Sequence, residues 1–248
     1  MNSDLFEKHL ALALRLSTAI LKNGAETYRA EECALSILSA GGGNDIEILA
    51  LPTAITVSAE YMGHSYTKVS SIKSRINNLG NIDSLNTISR EVSAGRMEPA
   101  EALKKVDCIE KTQNKFPKRI PFASVSSAAF AVMFNGGVAE FFLAFIVVFL
   151  AQTVIYILKS KGIIAFFSNM SGSVVTAVLA RFCLILFPDI NISAIIIGGI
   201  MPLLPGLVML NAIRDTLYGD IISGTARGVE AMLSAIAIAA GVGLVLAI

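Results

Sequence analysis

Two stretches of the sequence concentrate side chains able to hold a charged small molecule. The first, MPLLPGLVMLNAIRD at 201–215, places Asn211, Arg214 and Asp215 shortly after Pro202, Pro205 and Gly206. An amide, a guanidinium and a carboxylate so close together offer hydrogen bonds and both signs of charge. The second, NGAETYRAEE at 23–32, carries Glu26, Arg29 and Glu32 at i, i+3 and i+6. That spacing is first the pattern of an exposed helical salt-bridge series; binding, or contact with the rest of the chain, is the alternative. Signals for covalent or redox chemistry are thin. There is no glycine-rich phosphate loop, no paired-cysteine metal spacing and no nucleophile elbow. His9 and His64 have no evident ligand partners, and Cys33, Cys108 and Cys183 are scattered. They are expected to be free or buried thiols, with neither metal nor cofactor.

These groups need elements to position them, and the charge pattern divides the chain. Its 248 residues are 54% hydrophobic, with a mean hydropathy of +0.67 and a formal net charge of +1. Such a charge exerts no general pull toward nucleic acid or an anionic surface, and the apolar content exceeds that of an ordinary soluble domain. Residues 1–119 hold 15 Lys/Arg and 14 Asp/Glu; residues 120–248 hold five of each. The sequence therefore predicts a polar domain, 1–119, joined near KFPKRIPF to a membrane domain, 120–248. The N-terminus does not read as a signal peptide, because acids precede its apolar stretch and Arg15 and Lys22 interrupt it. The polar domain is expected to stay in the cytoplasm.

The membrane domain is predicted to be all-α, with about five spans at 121–137, 140–158, 162–187, 192–213 and 229–248. Each is near the roughly 20 residues needed to cross the hydrocarbon core. Lys115, Lys118 and Arg119 precede the first span, Lys159 and Lys161 follow the second, and Arg214 and Arg227 lie beside the fourth and fifth. NGGVA and PDIN carry no base. The positive-inside rule then places residues 1–119 and the basic loops in the cytoplasm and the C-terminus outside.

The fourth span is built to break between Gly198 and Leu207. Pro202 and Pro205 each remove a backbone donor and clash with the carbonyl four residues back. Gly206 follows them, and Gly198 and Gly199 precede them, loosening the helix from both sides. Freed backbone groups must face protein or a watery cavity. Two readings stand: a kink satisfied by neighbouring helices, or a discontinuous helix that holds a substrate. In the third span, Ser168, Asn169, Ser171 and Ser173 read as interhelical hydrogen bonds or as path residues. Arg181 either snorkels outward or faces inward as a fixed cation. The small residues of 235–243 suit close packing against another helix or subunit.

The polar domain reads as α+β in the order ααβββαα. Helices are predicted at 5–24 and 25–42, then strands DIEILAL, TAITVSAE and SYTKVSSI in one antiparallel three-stranded sheet, then helices at 83–95 and 98–111. Pro52 and Thr53 follow the first strand, and YMGH makes a hairpin turn.

NGAETYRAEECALSILSAGG resembles the Gly-Ala-Glu-Thr-x-Arg-x-Glu segment of the threonine/serine exporter family, through Gly24, Glu26, Thr27, Arg29 and Glu32. ALPTAITVSAE is similar to its Pro-Thr strand segment, at Pro52 and Thr53. MPLLPGLVMLNAIRDTLYGDIISGTARGVEAML is similar to its run of Leu-x-Pro-Gly, Asn-x-Ile-Arg-Asp, Gly-Asp, Ser-Gly and Arg-x-x-Glu. The resemblance covers nearly the whole chain, in order. It implies secondary export across a bacterial inner membrane, of threonine and serine in some members and of dicarboxylates such as succinate in others. Full-length members continue into a second, shorter membrane unit. Without that unit the chain resembles the large component of the split form, similar to the succinate-exporter subunit. That likeness implies a small membrane partner subunit, or further copies of the chain, to complete the path. Val138 stands where many relatives carry an acidic or aromatic residue, and no role carries over to it.

The mechanism so implied is alternating access around the broken span, driven by a proton gradient, with Asp215, Asp220 and Glu230 as proton-coupling candidates. Asn169, Arg181, Pro202, Pro205, Gly206, Asn211, Arg214 and Asp215 are the candidate path residues. The substrate carboxylate would meet either Arg181 or the half-helix beginning after Pro205 and Gly206. Two other classes remain beside transport. One is a membrane-anchored enzyme acting through Glu26 or Glu32; the other is a regulatory scaffold whose cytoplasmic domain is the working part.

Overall fold

The computed structural model describes residues 3–112 and 119–248. Packing divides the chain into two compact units, Met1–Lys115 with Leu207–Gly228, and Phe116–Gly206 with Val229–Ile248. The first unit opens with helices α1 (Ser3–Lys22) and α2 (Thr27–Ala40). Phe6, Leu10, Ala13, Leu16 and Ile20 recur at helical spacing along α1 and are all buried. They pack on a sheet of order β1 (Asn44–Leu51), β2 (Ala54–Tyr61), β3 (His64–Ser71), antiparallel throughout. The alternate residues Ile55, Val57, Ala59 and Tyr61 of β2 face that core, and the Phe6 ring stacks on Tyr61 at 4.4 Å.

Two-residue reversals join the strands. Pro52 and Thr53 separate the paired Leu51 and Ala54, and Met62 and Gly63 separate Tyr61 and His64. Met62 and Gly63 have φ of 51° and 77°, the handedness that matches strand twist in a tight hairpin. Helices α3 (Leu79–Ser93) and α4 (Pro99–Thr112) complete the expected order. α3 begins before the predicted residue 83 because the Asn78 side chain caps it, accepting the Asn81 N–H at 3.2 Å.

The remaining helices are α5 (Arg119–Met133), α6 (Val138–Ser160), α7 (Ala165–Leu186), α8 (Ile192–Ile200), α9 (Gly206–Leu217) and α10 (Ile221–Leu246). Among the described residues α6, α7 and α10 are long and apolar enough to cross a membrane; Ile192–Leu203 with Gly206–Leu217 counts as a fourth only as one broken span. α5 is a shorter apolar helix and is not among the three or four candidate spans of the described residues. It has 15 residues, short of the roughly 20 required, and its C-terminal end gives way to a turn in which Asn135 takes a φ of 63°. Lys115 and Lys118 lie outside the described residues.

The fourth apolar stretch is interrupted where its prolines stand. α8 gives way to a short 3-10 turn at Met201–Leu203, Leu204 is extended at φ −61° and ψ 137°, and α9 starts at Gly206. Extension of Leu204 follows from the ring after it, since a residue before proline is driven out of the helical region. Pro202 has no N–H to give to the Gly198 carbonyl. Ser127 of α5 fills the vacancy, donating to that carbonyl at 2.7 Å. Gly198 and Gly199 do not loosen the helix; both remain inside α8 and let other helices approach. A Cβ on Gly198 would lie 2.7 Å from the Ser127 carbonyl oxygen and 2.8 Å from the Ala131 nitrogen, and one on Gly199 would strike Thr176. Gly241 of α10 likewise seats against Ser173 and Met170 of α7. Small residues thus set helix spacing here, as they do between helices in lipid.

Candidate functional site

The chain between α1 and α2 turns at Gly24, whose φ is +89°. A Cβ there would strike Asn77 and come within 2.8 Å of the Ile76 carbonyl oxygen, so only glycine fits. The turn presents its own carbonyl, which accepts the Asn211 side-chain N–H at 2.7 Å. Two residues on, Glu26 enters α2 with extended backbone and a side chain 8% exposed. Its carboxylate takes Arg29 Nε at 2.9 Å on one oxygen and the Arg214 guanidinium on the other. Burial pushes the Glu26 carboxyl upward. Its own backbone N–H, the Arg214 hydrogen bond and the charges of Arg29 and Arg214 outweigh that and hold it below the usual carboxylate range.

Thr27 begins α2 and faces two further acids. Its N–H donates to Asp215 Oδ1 at 3.1 Å, where the positive end of the helix dipole favours a carboxylate. Its hydroxyl oxygen lies 3.0 Å from the same Asp215 oxygen and 2.7 Å from Asp220 Oδ2. A hydroxyl has one proton to donate. It can therefore serve only one of the two carboxylates at a time, and Asp215 keeps the Thr27 N–H when the hydroxyl turns to Asp220. The other Asp215 oxygen sits 3.0 Å from Arg227 Nε, with both side chains almost wholly out of solvent. Arg227 also donates to the Ala25 carbonyl at 2.7 Å. The Tyr28 ring stacks on Tyr218 at 4.3 Å.

Asp220 is brought back toward Asp215 by a turn at Gly219, φ 95°, closed by the Asp220 N–H on the Asp215 carbonyl at 2.8 Å. Gly224, one helical turn on, lies against Thr216 and the Ala212 carbonyl. The Gly-Asp, Ser-Gly and Arg motifs are thus the means by which α10 is folded onto α9 to deliver Asp220 and Arg227.

Asn23, Gly24, Glu26, Arg29, Asn211 and Arg214 line part of a cavity of about 120 Å³. The structure brings together Gly24, Glu26, Thr27, Arg29, Asn211, Arg214, Asp215 and Asp220, all within the first unit. Pro52 is buried and Thr53 exposed at the β1–β2 reversal. Pro202, Pro205 and Gly206 form the helix break. Asn169, Arg181 and Glu230 belong to the second unit. There Asn169 is half-buried on α7, Glu230 is exposed, and Arg181 donates to the Val245 carbonyl at 2.8 Å.

Spacing pointed to Glu32, but Glu32 is exposed. It is Glu31 that turns inward, accepting the Ala50 N–H at 2.9 Å. Burial raises the Glu31 carboxyl against that hydrogen bond, and the Asp220 and Asp215 charges raise it further. The signal was available, since the eighth position of the Gly-Ala-Glu-Thr-x-Arg-x-Glu pattern is Glu31. In sequence Arg227 stands as a topology charge and as the arginine of the Arg-x-x-Glu motif; its place beside an apolar helical run is the clue to a buried partner, Asp215.

Residues 11–248 match the family of threonine/serine exporters. Among curated proteins, the threonine/serine exporter of Corynebacterium glutamicum is 26% identical over 245 residues, covering 94% of this chain. The chain spans about half the length of that relative, 50%. No solved structure matches it.

Proposed function

This chain belongs to the threonine/serine exporter family, and from that premise we propose that it carries a small zwitterionic amino acid, threonine or serine, outward across the bacterial inner membrane. The observation that carries the reading is the Glu26 carboxylate clamped between Arg29 and Arg214 at the wall of a cavity of about 120 Å³. An amino acid has the two charges needed to replace that clamp: its carboxylate takes Arg214 and its ammonium takes Glu26. Asn211 and the Gly24 carbonyl supply neutral hydrogen bonds beside them. The exchange substitutes one set of ion pairs for another, so neither charge is stranded as the substrate arrives.

Proton coupling is assigned to the Asp215–Thr27–Asp220 trio, where a single hydroxyl contacts two carboxyls. A proton entering there relieves the repulsion between them and weakens the hold of Arg227 on Asp215. Residues 1–119 face the cytoplasm in this reading, which the alternation of basic connections in the sequence supports: Lys159 and Lys161 in one, Arg214 and Arg227 in another, and no base in NGGVA or PDIN. A second membrane unit, on a small partner subunit or on further copies of this chain, completes the path.

A dicarboxylate such as succinate is the second reading, favoured by the two guanidinium groups of Arg29 and Arg214 at one cavity. Efflux from cells preloaded with labelled threonine, serine or succinate, with and without the small partner, separates the two. Arg214→Ala and Asp220→Asn are expected to abolish export while the protein remains in the membrane. Full export of all three substrates by both variants refutes the proposal; loss of succinate export alone establishes the second reading.

A further inference from the structure

A second cleft lies in the first unit, between α2 and α3, and shares only Arg29 with the cavity used above. Its volume is about 290 Å³, and its walls include Arg29, Glu32, Ser36, Asn86, Ser89 and Arg90. Arg29, Glu32 and Ser36 follow one another at helical spacing along one face of α2; Asn86, Ser89 and Arg90 do the same on α3. The side chains of Asn86 and Arg90 make no hydrogen bond or ion pair with another described residue. A cation, an anion and an amide thus converge on one concavity, with Arg90 and Asn86 uncommitted. Hydroxyls of Ser36, Ser89 and Tyr28 stand around them.

We infer that this cleft is a second binding site, for a free α-amino acid. The carboxylate is met by Arg90 and Arg29, the ammonium by Glu32, and a polar side chain by Asn86 or Ser36. Separate carboxylate and ammonium partners on facing helices are what a zwitterion needs and what a simple anion would not use, because Glu32 repels an anion.

Arg29 gives the site a consequence. It is the one lining residue shared with the cavity around Glu26 and Arg214, and its Nε is already committed to Glu26 at 2.9 Å. A carboxylate in the α2–α3 cleft competes for that guanidinium and loosens Glu26, so that Glu26 holds Arg214 less firmly. Coupling of this kind is reciprocal: whatever removes Glu26 from Arg29 strengthens binding in the cleft by the same factor. The cleft therefore reads as a sensor of internal amino acid that acts on the transport cluster. The binding itself does not rest on the transport reading; only that consequence does.

The test is calorimetric titration of the full chain in lipid nanodiscs with L-threonine, using succinate and N-acetyl-threonine as probes that lack the ammonium. Wild type is expected to bind two equivalents of L-threonine, and Arg90→Ala or Glu32→Gln to weaken one of them by about tenfold or more, the worth of a charge-assisted hydrogen bond. Glu26→Gln tightens that same event. Arg214→Ala removes the other and leaves the cleft intact. Arg90 and Glu32 are exposed, so their variants remain folded, and matching circular dichroism confirms it for all four. Two events unchanged by Arg90→Ala and Glu32→Gln overturn the inference, as does a single event insensitive to them. A single event lost in Arg90→Ala but kept in Arg214→Ala supports the cleft and counts against the transport cluster. Equal binding of N-acetyl-threonine removes Glu32 from the site and refutes the zwitterion assignment.

Discussion

Asp215→Asn is the substitution with the largest expected cost. The wild-type carboxylate is fully buried, and the Arg227 side chain 3.0 Å away is 4% exposed. The amide keeps an acceptor for the Thr27 N–H and hydroxyl, so the loss is one of charge rather than of hydrogen bonds. It breaks the buried ion pair while Arg227 keeps its donation to the Ala25 carbonyl, and removing one partner of a buried pair costs about 3–5 kcal/mol. For a chain of this size that corresponds to a fall in melting temperature of about 6–20 °C. Arg227→Met strands the carboxylate and costs a similar amount. The double variant leaves no buried charge, and replacing a buried pair by neutral groups is often close to neutral. It is therefore expected to be several kcal/mol more stable than the sum of its parts. The Lys8–Asp4 pair supplies the contrast. With side chains 48% and 72% exposed, Asp4→Asn changes stability by about 0.5 kcal/mol or less. The chain has no tryptophan, so unfolding in a fixed detergent is followed by far-ultraviolet circular dichroism. Asp215→Asn within about 1 kcal/mol of wild type refutes the argument, and so does a double variant that loses the sum of the two singles.

Ser127→Ala leaves the buried Gly198 carbonyl without its donor and is expected to cost about 1–3 kcal/mol; Pro202→Ala, which restores a backbone N–H four residues on, recovers much of it in the same melting assay. Thr27→Ser keeps the hydroxyl between Asp215 and Asp220 and exports normally, whereas Thr27→Val falls by about tenfold or more and loses the pH dependence of efflux. Burial pushes the Cys33 thiol up to about 11, so at pH 7.5 it is a neutral, poorly nucleophilic thiol. A maleimide then labels the exposed Cys108 and reaches Cys33 only on unfolding. In a cysteine-free background, an impermeant thiol reagent added to intact cells reaches Asn135→Cys and misses His64→Cys; the reverse pattern inverts the proposed orientation.

Much of the fold was legible because local chemistry sets it. Alternating β-branched runs, a Met-Gly turn and four amphipathic or capped helices give the order ααβββαα, and two prolines give the break near residue 204. What local pattern could not reveal was partnership. Glu26 and Arg214 are 188 positions apart, and nothing short-range links a salt-bridge series on α2 to a basic loop beside α9. The Gly198–Gly199 pair misled for the same reason: a glycine's freedom is visible in sequence, but the close neighbour that makes use of its missing Cβ is not. Ser127, which makes Pro202 tolerable, stands 71 positions from the carbonyl it serves.

One further signal was present in the sequence and points to lipid. On α9 the buried residues are Asn211, Ala212 and Asp215, while Leu207, Met209, Leu210, Ile213 and Leu217 are exposed. The first turns of α10 repeat the inversion: Ser223 and Arg227 are buried, and Ile221 and Ile222 are 65% and 74% exposed. α1, in the same unit, does the opposite and hides Leu10, Leu12, Leu16 and Leu21. In water the outward apolar surface of α9 would be costly, and its inward carboxylate would gain nothing over hydration. In a bilayer both preferences reverse: hydrocarbon accepts the leucines, and the ionisable groups must find partners inside the protein. Asn211 and Asp215, four residues apart, define that inward stripe by spacing alone. The helix break releases α9 at Gly206 with its polar stripe toward the N-terminus of α2, and the partners awaiting it there are the Gly24 carbonyl, Glu26 and Thr27.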